Sequence, residues 1–484
     1  MATHRLTASQ LIPRPLAEVF AFFERPENLR RLTPPSMGFE FLTDDHEMRS
    51  GLEIEYRLRP LLGVPVTWRT RIDAYNPPTG FHDRQLRGPY ARWEHSHTFE
   101  SVPGGTLMTD VVNYAIPLGP LGEIVHSLIV RSEIERIFRY RAEAIRSVFV
   151  VSAPPSGRTL AVAGGTGFVG GAIALEAHRR GEHVVVLSHR GEAARGGLPD
   201  EIEIRRADVQ TGEGLPEALH GVDHLAISLA FRNSPIEAPR RHRTFAEVDA
   251  AGTERLVAAA REAGVRRLIY VSGAGAAPAA KRHWFRAKWR AEEAVRGSGL
   301  PWSIVRPTWI FGPRDVSLNR FVGFARRLGL VPMTNFGRQQ LAPVFIDDVA
   351  TLVVDALRAD AAIDQVFEIG GPNTMPMREI IATALRVADL RRPIVPGPAV
   401  LVKLAALPMT LLPEPLLTPD AVDFINQPAT VDNAALLATL PRRLTPLEEG
   451  LRTYLSPADS DSSVVFDGPT RPIRQEAAEG QGAR

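Results

Sequence analysis

The sequence predicts two domains of different class: an N-terminal α+β domain in which an antiparallel sheet is closed by a long helix, and a C-terminal doubly wound parallel α/β domain with a small substrate lobe. Three observations predict this. Strand-like alternation dominates up to Pro117 and then gives way to helical spacing; a Pro/Ser/Gly cluster interrupts the chain at Ala153–Gly157; and beyond it apolar strands alternate with helical stretches. On these signals residues 1–152 form the first domain, residues 158–455 the second, and residues 456–484, poor in large apolar side chains, a disordered tail.

Composition narrows the chemistry. The 484 residues carry 57 basic and 55 acidic side chains, a formal charge of +2 that offers nothing to nucleic acid. Cysteine is absent, which excludes disulfides, thiolate metal sites and a cysteine nucleophile and fits a reducing cytoplasm. Met1–Leu11 lacks the apolar core of a signal peptide. Val400–Leu412, the most lipid-like stretch, is broken by Lys403 and Pro408 and is too short to span a bilayer, although contact with a membrane surface stays open. No motif specifies a protein partner.

In the first domain a strand is followed by a short helix around Pro15–Phe23 and about six more strands. Leu52, Ile54, Tyr56 and Leu58 alternate with charged residues, as do Trp68, Thr70 and Ile72, which marks half-buried antiparallel strands. Ile124, Leu128, Ile134, Ile137, Phe138, Ile145 and Phe149 then recur at three- and four-residue steps and predict one long amphipathic helix. In Arg92–Phe99, Trp93, His95, His97 and Phe99 share one face, which is expected to point inward. The paired histidines suit a metal, the polar head of a ligand, or a hydrogen-bonded core or rim position; with no third ligand evident, no metal is expected.

That element order, with the text "PLAEVFAFFERPENLRRLTPP", resembles the START-like helix-grip superfamily, the polyketide cyclase and coenzyme Q-binding (SRPBCC) group, over residues 2–150. The resemblance implies a curved sheet around the helix and a cavity for an apolar small-molecule ligand walled by Trp93, His95, His97 and Phe99.

In the second domain Leu160–Ala163 runs directly into Gly164-Gly165-Thr166-Gly167-Phe168-Val169-Gly170, a strand entering glycines that open a helix. Glycines there permit backbone turns, let a pyrophosphate approach the main chain, and aim helix N-terminal amides at its charge. Expected strands His183–Leu187, His224–Ala230, Arg267–Val271 and Trp302–Val305, with a helix at Thr253–Ala263, follow in β/α order. The glycine motif, "RRADVQTGEGLPEAL", "GTERLVAAAREAGVRRLIYVSGAGA", "LPWSIVRPTWIFGPRD" and "LAPVFIDDVATLVVDAL" together resemble the extended and atypical short-chain dehydrogenases/reductases, a Rossmann fold. "LLPEPLLTPDAVDFINQPATVDN" looks like the branch that includes the NADPH-binding accessory subunit of respiratory complex I.

Charge at the end of the second strand bears on the cofactor. Ser188-His189-Arg190 has no acid to bind a ribose hydroxyl, and a guanidinium with a hydroxyl suits a 2′-phosphate, so NADP(H) is favoured over NAD(H). By the resemblance Gly164, Thr166, Gly167, Phe168, Val169 and Gly170 line the pyrophosphate, Asp208 and Val209 flank the adenine, and Pro307 lies near the nicotinamide. The family's Tyr-x-x-x-Lys pair falls on Trp284 and Lys288. An indole cannot exchange the proton, so catalysis is open: Lys288 is left to hold the nicotinamide ribose, and His283 is the candidate proton donor. Two functions stand: an NADP(H)-dependent oxidoreductase or isomerase on an apolar small molecule such as a quinone, lipid or polyketide, or a non-catalytic nucleotide-binding sensor or assembly factor.

Overall fold

The computed structural model describes residues 3–455 except 46, 62–63, 118, 120–121, 123–125, 127–129, 151–152, 232–233, 414 and 416, together with 462–470. It divides into two units, one running to Ile145 and resuming at Ala458, the other Arg146–Pro457. The Ala153–Gly157 cluster expected at a seam lies inside the second unit. There Ala153 N–H donates to Arg179 O and the Ser156 hydroxyl donates to Glu182 at 2.9 Å.

The first unit is an antiparallel sheet. Strands β1 (Thr3–Ile12), β2 (Glu40–Phe41), β3 (Glu53–Leu61), β4 (Val64–Asn76), β5 (Gly80–Arg87), β6 (Arg92–Val102) and β7 (Gly105–Ala115) form a meander in which β1 returns beside β7. Helix α1 (Leu16–Phe23) buries Val19, Phe20, Phe22 and Phe23. The described part of the closing helix, α2, covers Arg131–Val148; Ile124 and Leu128, expected in its first turns, lie outside the described residues. Ile134 and Phe138 of α2 pack with Leu6, Val112 and Tyr114 of the sheet. The predicted alternation holds, with Leu52, Ile54, Tyr56 and Leu58 all buried.

The expected disordered tail is corrected in part. Ser462–Thr470 forms a strand antiparallel to β1, with Gln10 opposite Ser462 and Arg5 opposite Asp467; residues 456–461 and 471–484 lie outside the described residues. An open β1 edge presents unpaired amides and carbonyls that another strand satisfies. The run Val464-Val465-Phe466 has the β-branched and aromatic character to do so, a signal diluted in the average over the whole tail.

The second unit is built on a seven-stranded parallel sheet. In chain order the strands are β8 (Thr159–Ala163), β9 (His183–Ser188), β10 (Glu203–Arg206), β11 (His224–Ile227), β12 (Arg267–Val271), β13 (Trp302–Pro307) and β14 (Gln365–Ile369). Their spatial order is β10-β9-β8-β11-β12-β13-β14, so the direction of winding reverses at β8 and β11. Strands buried on both faces need apolar runs rather than alternation, which is what Leu160–Ala163 and Val184–Leu187 supply. Helix α3 (Phe168–Arg179) follows β8, α4 (Gly252–Glu262) precedes β12, α5 (His283–Arg296) precedes β13, and α6 (Ser317–Leu328) and α7 (Ile346–Arg358) follow β13. A separate apolar cluster that includes Phe311, Leu318, Val322, Met333, Ile380, Ile381 and Leu451 makes the small lobe.

One buried carboxylate ties β12, β13 and α5 together. Glu292 of α5, fully buried, accepts from the Ser272 hydroxyl at 2.6 Å and from Arg306 Nε and Nη2 at 2.8 and 2.7 Å, and Arg296 pairs with it at 2.7 Å. Removing one partner leaves the other charge buried and unpaired. Glu292→Ala is expected to cost about 3–5 kcal/mol, read as a lower urea midpoint at unchanged slope.

Candidate functional site

The glycine loop is shaped by close backbone approach. Gly164 follows β8 at φ +81°, and a Cβ there would stand 2.1 Å from Ser228 O, at the end of β11. A Cβ on Gly170 would stand 2.3 Å from Gly164 O, so α3 can cross the strand end only without side chains. Gly167 caps α3, its N–H donating to Gly164 O at 2.9 Å, and a Cβ there would sit 3.1 Å from the same oxygen. This leaves a backbone cradle facing the first amides of a twelve-residue helix, the geometry a pyrophosphate requires. Phe168 and Val169 contribute amides to it, while their side chains pack against the small lobe. Arg314, not singled out in the sequence, brings its Nη2 to 3.5 Å from Thr166 O.

At the end of β9, Ser188 is buried and its hydroxyl accepts the Arg190 N–H at 3.3 Å, while the Arg190 side chain is exposed. In register with Ser188 on β10 stands Arg206, also exposed, a second guanidinium at the same sheet edge. Sequence reasoning missed it because β9 and β10 are paired only in three dimensions. Asp208 accepts the Gln210 N–H at 2.8 Å and organises the loop after β10, and Val209 faces Gly252 of α4. Pro307 closes β13, its carbonyl accepting from Ala274 at 2.9 Å.

The positions assigned to catalysis are rearranged. Trp284 is only 3% exposed and packs on Phe424 at 5.3 Å between ring centres. Lys288 Nζ lies 2.5 Å from Asp249 Oδ1, and its ammonium faces the Tyr270 ring at 5.4 Å from the centroid. Burial works against the Lys288 charge, yet Asp249 outweighs it and raises the lysine's pKa. Tyr270 is fully buried on β12, and burial raises its phenol, so it stays protonated at neutral pH. Asp249 lies in the π-helical turn Phe245–Ala251, an irregular element whose register no sequence period announces. His283 opens α5 with Nε2 2.9 Å from Glu237 Oε2 and its side chain 38% exposed. Beside it, a cavity of about 500 Å³ is lined by Gly275, Lys281, Arg282, Phe285, Asn335 and Asp423, among others, with Arg282 and Asp423 paired at 2.9 Å. A cavity of that size suits a small molecule.

In the first unit, His95, His97 and Phe99 are buried on the inner face of β6 and Trp93 is half-buried. Phe99 packs with Phe20, Phe23 and Phe81, and Trp93 with Trp68 and Tyr90. The histidines meet carboxylates on neighbouring strands: His97 Nδ1 is 2.6 Å from Asp110 Oδ1 and its Nε2 is 3.5 Å from Asp83 Oδ2. Burial opposes the charge of Asp110, but Arg141 Nε at 2.9 Å and His97 hold its carboxyl well below the usual range. Burial, with His97 beside it, pushes His95 down to about 4.

A family model described as NAD(P)H-binding matches residues 164–360. NADH dehydrogenase (ubiquinone) 1 alpha subcomplex subunit 9, mitochondrial, of Arabidopsis thaliana is 28% identical over 232 residues, which cover 46% of this chain and 56% of that protein. The (4-alkanoyl-5-oxo-2,5-dihydrofuran-3-yl)methyl phosphate reductase of Streptomyces griseus subsp. griseus is 31% identical over 249 residues, 48% of this chain and 74% of that one. The chain thus spans little more than half the length of the first of these relatives. Among solved structures, UDP-glucuronic acid 4-epimerase from Bacillus cereus, in complex with UDP-glucuronic acid and NAD, superposes with a TM-score of 0.50 at 17% identity, covering 61% of this chain and 98% of that one, a likeness of fold. No described helix is long and apolar enough to cross a membrane.

The loop that carries Arg314 has its own titration. Asp315 caps α6, its carboxylate accepting the Ser317 and Leu318 N–H groups at 2.7 and 2.8 Å, and burial, against these bonds, pushes its carboxyl up to about 6. A carboxyl whose folded pKa is raised adds stability that is present below its unfolded value near 3.9 and lost as pH rises through about 6. Asp315→Asn is expected to flatten the stability profile between pH 4 and 7, a span on the order of 3 kcal/mol, measured by denaturation at stepped pH.

Proposed function

Because this chain belongs to the NAD(P)-binding atypical short-chain dehydrogenase/reductase family, we propose that it binds NADP(H) at the carboxyl edge of its parallel sheet and reduces an apolar small molecule held beside Gly275. The observation that carries the nucleotide half is the close backbone crossing at Gly164 and Gly170, where a Cβ would collide with main-chain oxygens, together with Gly167 at the start of the helix. Its preference for the phosphorylated nucleotide is supported by Arg190 and Arg206, two guanidiniums at the ends of adjacent strands with Ser188 between them and no acid on β9. Asp208 and Val209 would border the adenine, Pro307 the nicotinamide, and Arg314 the pyrophosphate. A bound NADPH would supply a hydride to the substrate carbon. The chain's part is to orient the substrate in the cavity lined by Phe285 and Arg282, and to return a proton, for which His283, paired with Glu237, is the candidate.

A second reading is favoured by specific observations: Trp284 in the tyrosine's place is packed into the core, and Lys288 is engaged by Asp249. These support a protein that binds the nucleotide without turnover. For the first unit, the antiparallel sheet carrying α2 supports the START-like reading and an apolar ligand against Trp93 and Phe99. A cytoplasmic setting and contact of the exposed Val400, Leu401, Leu404 and Leu411 with a membrane surface remain part of the proposal.

The expected results are these. Calorimetry should show NADPH bound more tightly than NADH, and the Arg190→Ala, Arg206→Ala double variant should lose about tenfold or more for NADPH with little change for NADH, since a hydrogen bond to a charged group contributes about 1.5–3 kcal/mol; equal parent affinities would overturn the assignment. Gly167→Val should abolish binding of either nucleotide while the protein still melts cooperatively. A scan of quinones and conjugated carbonyls for NADPH oxidation separates the readings: turnover that falls in His283→Ala supports the reductase, and tight NADPH binding with no turnover supports the second.

A further inference from the structure

The first unit contains a cluster whose chemistry the nucleotide reading does not use. On β6, His95 and His97 project from alternate positions; on β5, Asp83 stands directly across from His95; on β7, Asp110 stands directly across from His97. The strand register therefore brings two imidazoles and two carboxylates to one spot. Arg141 of α2 adds a guanidinium on Asp110 at 2.9 Å.

The four groups sort by direction. His97 turns Nδ1 to Asp110 Oδ1 at 2.6 Å and Nε2 toward Asp83 Oδ2 at 3.5 Å. His95 does the same with its nitrogens exchanged, Nε2 lying 3.4 Å from Asp110 Oδ1 and Nδ1 3.9 Å from Asp83 Oδ2. Each ring thus offers one nitrogen to Asp110 and aims the other at Asp83. The buried His95 Nε2 makes no hydrogen bond, although its side chain is 9% exposed. Donor atoms of Asp83, His95 and His97 lie within 4.8 Å of one another. Bonds of about 2.0–2.1 Å to a tetrahedral zinc place ligand atoms about 3.4 Å apart; Asp83 Oδ2 already stands 3.5 Å from His97 Nε2 and 3.9 Å from His95 Nδ1, so a cation between them draws the three side chains together.

The surroundings match what a metal site needs beyond its ligands. Asp110 would fix the tautomer of both imidazoles from behind, the carboxylate–histidine–metal arrangement. The Thr70 hydroxyl holds the other oxygen of Asp83 at 2.9 Å. Phe81 at 4.2 Å from the His97 ring and Phe138 at 5.8 Å from the His95 ring give an apolar wall. With both imidazoles neutral, two carboxylates face one guanidinium, leaving one negative charge for a cation to neutralise. Asp83, whose side chain keeps 14% exposure, is the point of entry.

We propose that Asp83, His95 and His97 form a binding site for a divalent transition-metal ion, of the zinc class, with Asp110 as the shared outer carboxylate and a position left for water or a ligand oxygen.

The test uses the full chain, stripped with chelator and titrated with Co²⁺ and then Zn²⁺. One equivalent of Co²⁺ should bind with visible ligand-field bands, Zn²⁺ should displace it, and the bound ion should raise the melting temperature. Asp83→Asn and His97→Gln should weaken binding at least 100-fold, and Asp110→Asn, which touches no metal, should weaken it 10- to 100-fold. Should these variants fail to fold, the parent titration decides alone. Folded parent protein that gives neither bands nor heat with millimolar Co²⁺ and Zn²⁺, or an Asp83→Asn variant that melts normally and binds as the parent does, would overturn the site. Either result would mean that a protonated imidazole balances the carboxylates instead.

Discussion

The second unit depends on a constraint that is steric rather than attractive: three backbones cross where β8, β11 and α3 meet, with no room for a side chain. Ser228 O sits where a Cβ of Gly164 would be, and Gly164 O sits where a Cβ of Gly170 would be. That approach aims the first turn of α3 at the space above the sheet and puts this space at the reversal of winding between β8 and β11. The nucleotide cradle, the cations that border it and the cavity beyond β12 all take their positions from this crossing.

Around that cradle the molecule spends buried charge on order. Glu292 locks Ser272 and Arg306 together, and Lys288 is held by Asp249. A buried ion pair is weak evidence for net stability but strong evidence for a single geometry, because losing either partner strands the other. The Trp284 indole packs on Phe424, and Lys288 is tied down by Asp249. At the start of the same helix His283 pairs with Glu237 at 2.9 Å.

The first unit shows the same economy in a different sheet. A meander puts every other residue of β5, β6 and β7 on one face, so cross-strand neighbours rather than sequence neighbours decide which polar groups meet. His95 and His97 read alone are two half-committed imidazoles. Beside Asp83 and Asp110 they become one buried cluster of four titratable groups.

The sequence by itself determined the change of hydrophobic period, the alternation along β3 and β4, the apolar strands of the parallel sheet and the Gly164–Gly170 loop, since each is written in contiguous residues whose spacing reflects local geometry. It also placed an indole at position 284, four residues before Lys288. Only the tertiary structure decided what lies across a sheet or under a helix. It set Arg206 beside Ser188, Arg314 over Thr166, Asp249 and Tyr270 against Lys288, and Asp83 opposite His95. It likewise decided that Ser462–Thr470 pairs with β1, where averaging over a polar tail hid a short β-forming run. Period and turn chemistry are local and survive in one dimension; register between strands and the pairing of buried charges come from contacts between residues far apart in the chain.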